Sequence, residues 1–177
     1  MSIEKPRILL SAEEIDRRTA ELAAAIERDY ADSERLLVIG VLKGSIVFLV
    51  DLMKKLDLPL QVDFLQAASY GDSTEPGEVH ILKDVDLPVR GADVLLVEDI
   101  VDTGHTLSTV LRMMSFRGAR SVKLCALLDK EARRETEVTI DYRGFTIDDH
   151  FVVGYGLDYA ERYRNLPYVG ILEADET

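Results

Sequence analysis

The apolar residues of this chain fall into two patterns. Between Ser11 and Tyr30, Ile15, Leu22 and Ile26 recur at helical spacing among charged neighbours, which predicts an amphipathic helix with one face on a core. Ser11 followed three residues later by Glu14 is a capping-box pattern and marks where that helix starts. The second pattern is a short apolar run without polar alternation. It occurs in RLLVIGVL (Arg35 to Leu42), in LQVDFLQAAS, in ADVLLVED ending on Glu98 and Asp99, and in SVKLCALLD ending on Asp129. Such runs predict strands covered on both faces, as in parallel sheets. Between them, SIVFLVDLMKKL after a Lys43-Gly44 turn and HTLSTVLRMMSFRG closed by Gly118 read as helices. Strand, tight turn and helix in alternation predict an α/β fold: a parallel sheet core flanked by helices, one domain over residues 1–177, with no internal repeat.

Two segments break this grammar. SYGDSTEPGE, Ser69 to Glu78, is rich in turn formers and almost without an apolar anchor, which predicts an exposed, mobile loop. From Asp141 onward the chain is aromatic-rich and lacks a helical period, as expected of a small subregion appended to the core. Ligands of open α/β sheets bind beyond the carboxyl ends of the strands. Glu98-Asp99, Lys43-Gly44 and Asp129-Lys130 all fall at such ends and can converge on one crevice.

Composition narrows the partners. The 177 residues are 47% hydrophobic and 31% charged, an ordinary globular mixture for one packed core. Lys plus Arg total 21 against 33 Asp plus Glu, so the formal charge is 21 − 33 = −12, which argues against nucleic acid. A small phosphorylated ligand remains compatible if a few cations are focused in one cleft or a divalent metal bridges the like charges. The single cysteine, Cys125, lies in an apolar run and reads as a core residue, so nothing requires an oxidising compartment. MSIEKPRILL has no secretory pattern, and the most apolar window is interrupted by Lys43 and Gly44, so a cytoplasmic protein without a membrane partner is expected.

The chemistry concentrates in LLVEDIVDTGHT, Leu95 to Thr106. Thr103, Gly104 and Thr106 stand at the turn into a helix, where unpaired backbone N–H groups and the helix dipole favour a phosphate. Glu98 and Asp99 would repel that phosphate unless Mg²⁺ or ribose hydroxyls meet the carboxylates, so a ligand with both a phosphate and a diol satisfies the whole run. The plainer reading is that Asp102 or Thr103 caps the helix and Glu98-Asp99 are solvated charges at a strand end. GYGLDY lacks the third glycine of a dinucleotide fingerprint. His80 and His150 show no metal spacing and read as surface residues.

VLLVEDIVDTGHT resembles the phosphoribosyl-pyrophosphate signature of the type I phosphoribosyltransferases. GVLKGSIVFLVDL, SYGDST, LLDK followed by RR, and FVVGYGLDYAERYRNLPYVGIL resemble, in order, the motifs of its hypoxanthine(-guanine) branch, from about Ile8 to Leu172. The resemblance implies the type I fold with a small hood formed by the N-terminal segment and part of the tail. It implies purine salvage: 5-phosphoribosyl transfer from phosphoribosyl pyrophosphate to N9 of hypoxanthine or guanine, giving IMP or GMP and pyrophosphate, with Mg²⁺ in a homodimer or homotetramer.

By position, Glu98 and Asp99 then hold the ribose hydroxyls and metal, and Asp102 is the general base at purine N7. Asp102, Thr103, Gly104, His105 and Thr106 form the 5′-phosphate loop. Lys43, Gly44, Arg134 and Arg164 meet the pyrophosphate, with an unusual cis peptide expected at Lys43-Gly44. Ile100, Lys130, Phe151, Val152 and Asp158 surround the purine, Lys130 reading the 6-oxo group, Phe151 stacking, and Asp158 also reaching a second Mg²⁺. Lys130 taken alone reads as a solvated strand-end lysine. Ser69 and Tyr70 open a flexible lid. His105 departs from the residues usual at its position, and its protonated ring is expected to strengthen 5′-phosphate binding at low pH. The competing class is a regulator of the same fold that senses phosphoribosyl pyrophosphate; the charge and the Lys130–Phe151 pair argue against it. Xanthine is an alternative substrate.

Overall fold

The structure is a computed structural model that describes residues 5–70 and 78–172. Helix α1 (Ala12–Tyr30) begins at the expected box: Glu14 N–H donates to Ser11 Oγ at 3.2 Å, and Ser11 N–H donates to the Glu14 carboxylate at 2.8 Å. Ile15, Leu22 and Ile26 are buried on its inner face.

The main sheet contains β2 (Leu36–Val41), β3 (Leu60–Tyr70), β4 (Glu78–Lys83), β5 (Asp93–Val101), β6 (Ser121–Asp129) and β7 (Tyr142–Thr146), in the order β4-β3-β2-β5-β6-β7. All neighbours are parallel except β3 and β4. Alternate side chains of the central strands enter different apolar clusters: Leu36, Val38, Leu95 and Val97 join α1 and α2 (Ile46–Met53), while Leu37, Ile39, Val94 and Leu96 join α3 (His105–Phe116). Both faces are buried, which is why these strands carry no polar alternation. Helix α3 ends as expected, with Gly118 at φ +84° beyond its last turn.

The expected boundaries need three corrections. Strand β5 does not stop at Glu98-Asp99; Ile100 and Val101 still pair with Leu128 and Asp129 of β6, so the acidic pair lies within the strand. The segment after Asp141 is not wholly an appendage, because β7 extends the main sheet with Cys125 opposite Tyr142 and Leu128 opposite Phe145. The turn-rich segment is narrower than Ser69 to Glu78: Ser69 and Tyr70 still pair with Val79 and Glu78 in a β3–β4 hairpin. The rest of the expected lid, residues 71–77, lies outside the described residues.

A second, antiparallel sheet joins β1 (Arg7–Leu10), β9 (Val169–Ile171) and β8 (Val152–Val153), in that order. Its Val152, Val169 and Ile171 join the same apolar cluster as α1, α2 and one face of the main sheet. At the opposite end Asp93 accepts hydrogen bonds from Arg120 Nε at 3.0 Å, Ser33 at 2.6 Å and Ser121 at 2.7 Å. No described helix is long and apolar enough to cross a membrane.

Candidate active site

The crevice opens where β2 leaves β5. Their pairing ends at Gly40 and Val97, and the two N–H groups that follow on β5 turn to side chains: Asp99 N–H donates to Glu98 Oε1 at 3.1 Å, and Ile100 N–H to Asp99 Oδ1 at 2.8 Å. Both carboxylates are buried. Burial, and then the neighbouring Asp99 charge, push the Glu98 carboxyl well above its ordinary range. Two adjacent buried carboxylates of this kind suit a cation or hydroxyl donors. No cluster of three metal-ligating side chains exists among the described residues.

Beyond Val101 the chain makes the loop Asp102–Gly104 and enters α3, with Gly104 at φ +90° as its cap. The loop is fastened from behind. Glu135 and Thr136 N–H donate to Thr103 O at 3.0 and 2.9 Å, and Arg134 Nε donates to Asp102 O at 2.9 Å. A side chain at position 104 would meet Thr136 O at 2.5 Å, so only glycine lets the loop pack there. In front lies a cavity of about 180 Å³ lined by Glu98, Ile100, Asp102, Thr103, Gly104, Thr106 and Leu107. The start of α3, two threonines and the carboxylate-bearing Glu98 and Asp102 thus border one cavity, a setting for a phosphate joined to a diol.

At the end of β6, Lys130 is buried, and its Nζ lies 3.4 Å from Asp149 Oδ1. Arg133 Nη1 approaches the same oxygen at 3.5 Å while its Nε lies 3.0 Å from Asp102 Oδ1. Lys130 and Asp102 are therefore ends of one ionic chain that runs through Asp149 and Arg133. Phe151 is 53% exposed and makes a T-shaped contact with Tyr159, with ring centroids 5.5 Å apart. Val152 is buried and paired to Ile171 in the hood sheet.

The remaining groups meet across the crevice. Gly44 touches the acidic pair so closely that a Cβ there would lie 1.6 Å from Asp99 Oδ2, and Gly156 packs on the Gly44 carbonyl. Arg164 Nη1 donates to Gly156 O at 2.8 Å, and Arg164 Nη2 pairs with Asp158 Oδ1 at 2.9 Å. Asp158 Oδ2 accepts the Glu161 N–H at 2.9 Å, so both oxygens of that carboxylate have partners within the tail. Lys43 Nζ extends over the same region.

Several expectations change. The cis peptide is Leu42–Lys43, one bond before Lys43–Gly44. Arg134 does not face the crevice; its guanidinium binds the fully buried Asp129 and the Asp102 carbonyl, which makes it a fastener of the loop. His105 does not turn its ring to the cavity: Nε2 meets Glu135 at 2.7 Å and Nδ1 meets Thr136 Oγ1 at 2.6 Å. The ring therefore braces the loop from outside. Arg133, Asp149 and Glu161 were not singled out by sequence; the RR doublet was the available signal for Arg133, whereas nothing in the spacing marks the other two.

The chain matches the family model described as phosphoribosyl transferase domain over residues 8–160. It is 49% identical over 168 residues to the hypoxanthine-guanine phosphoribosyltransferase of Bacillus subtilis, covering 94% of this chain and 93% of that protein. It is 48% identical to the bifunctional protein TilS/HprT of Listeria monocytogenes, spanning 96% of this chain and 26% of that longer one. The crystal structure of a hypoxanthine phosphoribosyltransferase from Staphylococcus aureus superposes with a TM-score of 0.91 at 43% identity, covering 94% of this chain and 91% of that one.

Proposed function

The chain belongs to the phosphoribosyltransferase family, in its hypoxanthine-guanine branch, and we propose that it transfers the 5-phosphoribosyl group of phosphoribosyl pyrophosphate to N9 of hypoxanthine or guanine. The products are IMP or GMP and pyrophosphate, a purine-salvage reaction. The observation that carries the reading is the cavity lined by Glu98 and the Asp102–Thr106 loop, with the buried Asp99 beside Glu98 on β5 and the buried Lys130 joined to Asp102 through Asp149 and Arg133.

In this reading the loop and the first turn of α3 hold the 5′-phosphate, and Glu98 and Asp99 accept from the ribose hydroxyls. The same two carboxylates would hold Mg²⁺ together with the substrate, and the ion would supply positive charge opposite the pyrophosphate. Lys43 and Arg164 carry the remaining positive charge at that end. Purine N9 attacks ribose C1 through an oxocarbenium-like transition state, with the rate coming chiefly from positioning and charge stabilisation. Asp102 takes the N7 proton, and its orientation is set by Arg133 at 3.0 Å. Phe151 stacks on the base. The buried Lys130 donates to the 6-oxo group and so disfavours adenine, whose 6-amino group is itself a donor. A homodimer or homotetramer is supported by Ile46 and Val50, exposed on α2. A cytoplasmic location is consistent with the buried, unpaired Cys125.

The test is pyrophosphate release with phosphoribosyl pyrophosphate and Mg²⁺ against hypoxanthine, guanine, xanthine, adenine and uracil. Turnover of hypoxanthine or guanine and not of adenine is expected. Lys130→Met should then lower kcat/KM for the 6-oxopurine about 10- to 100-fold, the loss of a hydrogen bond from a charged donor, with little change in the KM of the co-substrate. Absence of turnover with every base, despite tight co-substrate binding, would favour a sensor of that compound.

A further inference from the structure

Both cations at the pyrophosphate end already face an anion that the chain supplies. Lys43 Nζ lies 3.2 Å from each carboxylate oxygen of Glu161, and Arg164 Nη2 lies 3.5 Å from Glu161 Oε2. One carboxylate thus meets an ammonium with both oxygens and a guanidinium with one, the contacts expected of a phosphoryl group bound between the same two side chains.

The chain takes an unfavourable path to put it there. Glu161 stands at φ +60°, Ala160 at φ +50° and Tyr163 at φ +76°, all in the left-handed region that non-glycine residues seldom occupy. Backbone of this kind persists where its surroundings over-determine it, often around ligand sites. Here the turn is closed by reciprocal hydrogen bonds between Tyr159 and Arg162 at 3.1 and 3.0 Å and by the Glu161 N–H on Asp158 Oδ2. Asp158 holds Arg164 with its other oxygen, so the turn that presents Glu161 and the guanidinium it meets share one anchor. The side chains of Lys43 and Glu161 are 55% and 66% exposed, which makes the pair weak and readily exchanged.

We propose that Glu161 is an internal stand-in for pyrophosphate: it occupies Lys43 and Arg164 in the empty site, yields them to the incoming substrate, and competes for them again once transfer is complete. The proposal rests on the reading that these two cations receive the leaving group. In the empty protein the stand-in keeps two like charges close together without mutual repulsion. After transfer it opposes retention of the product. Glu161 is thus a positioning residue that trades affinity for release.

Glu161→Gln keeps the shape and removes the charge, and its exposure makes it a safe substitution for folding; Glu161→Ala is the second variant. With Mg²⁺ present, the inhibition constant of pyrophosphate should fall about two- to fivefold in Glu161→Gln, the worth of exposed ion pairs, and the KM of phosphoribosyl pyrophosphate should fall with it. The KM of the purine base, which binds elsewhere, should not move. Arg164→Gln is measured alongside and should weaken pyrophosphate. If Arg164→Gln weakens it while both Glu161 variants leave it unchanged or weaken it too, Glu161 is not a competitor and the proposal fails alone. If no variant alters pyrophosphate binding, the assignment of the two cations fails with it.

Discussion

Gly44→Ala puts the geometry of the crevice to a sharp test. A Cβ at this position would lie 1.6 Å from Asp99 Oδ2 and 2.6 Å from Asp99 Cγ, whereas ordinary contacts between such atoms fall at about 3.5–4 Å. Roughly 2 Å must be found. The loop cannot retreat freely, because the Gly44 carbonyl is packed against Gly156, where an added Cβ would itself come within 2.0 Å. The carboxylate can swing only by giving up its hydrogen bond from Ile100 N–H. Overpacking of this kind costs about 1–3 kcal/mol, and at about 2–4 °C per kcal/mol for a chain of this size the melting temperature should drop by a few degrees. Activity should suffer far more. Either relaxation displaces Asp99, the proposed ribose ligand, or the Lys43–Gly44 loop proposed to meet pyrophosphate by an ångström or more, for which a loss of about 10²-fold in kcat/KM is the expected scale. Gly91→Ala is the control: Gly91 has φ +75° with nothing within 4 Å, so alanine there meets only the conformational penalty of about 1–2 kcal/mol and should keep full kcat/KM. Steady-state pyrophosphate release beside thermal melts of the two variants decides it. A Gly44→Ala enzyme within about threefold of the parent would refute the interlock between the loop and Asp99.

Asp102→Ala should lower kcat by about 10²–10⁴-fold with a much smaller change in the KM of the base; equal losses in both would remove it as general base. At the far end of the sheet, Arg120 first, and then Ser33 and Ser121, hold the Asp93 carboxyl below its ordinary value of 3.8. A depressed carboxyl means that the unfolded chain binds more protons, so its stabilisation is present above the ordinary value and is lost as pH falls below it. Asp93→Asn should therefore cost about 1–3 kcal/mol at neutral pH, show a shallower loss of melting temperature on acidification, and keep kcat/KM. Identical acid profiles for parent and variant would show that Asp93 is not the source.

The parts legible in the sequence were those written in local pattern. The capping box at Ser11 and Glu14, the unbroken apolar strands and the Thr-Gly entry to α3 each express a single local constraint. Strand β7 was missed because Tyr142–Thr146 is short, polar and interrupted by Gly144, and only its docking on β6 makes it a strand; a Cβ at Gly144 would lie 2.2 Å from Leu127 O. Strand β4 is an edge strand whose alternation is confined to six residues beside the turn-rich segment. The arginine doublet shows a different limit. Spacing cannot tell which of two adjacent side chains turns forward, and the one-turn helix Glu131–Arg133 sends Arg133 to Asp102 and Arg134 back to Asp129. The ring of His105 was misread for the same reason, since its partners Glu135 and Thr136 come from another part of the chain.

The hood sheet imposes an order on synthesis. Strand β1 leaves the ribosome well before its partner β9, and β8 pairs with nothing else in the sheet. The main sheet through β7 can assemble on the nascent chain while β1 waits unpaired. Arg164 and Gly156 follow the main sheet in the chain, so their side of the crevice is completed after it. Substrate can stabilise only a chain that already binds it. A growing polypeptide therefore gains no help from its own ligand until β9 has been added, and during that interval an early, exposed strand edge is left for chaperones to shield.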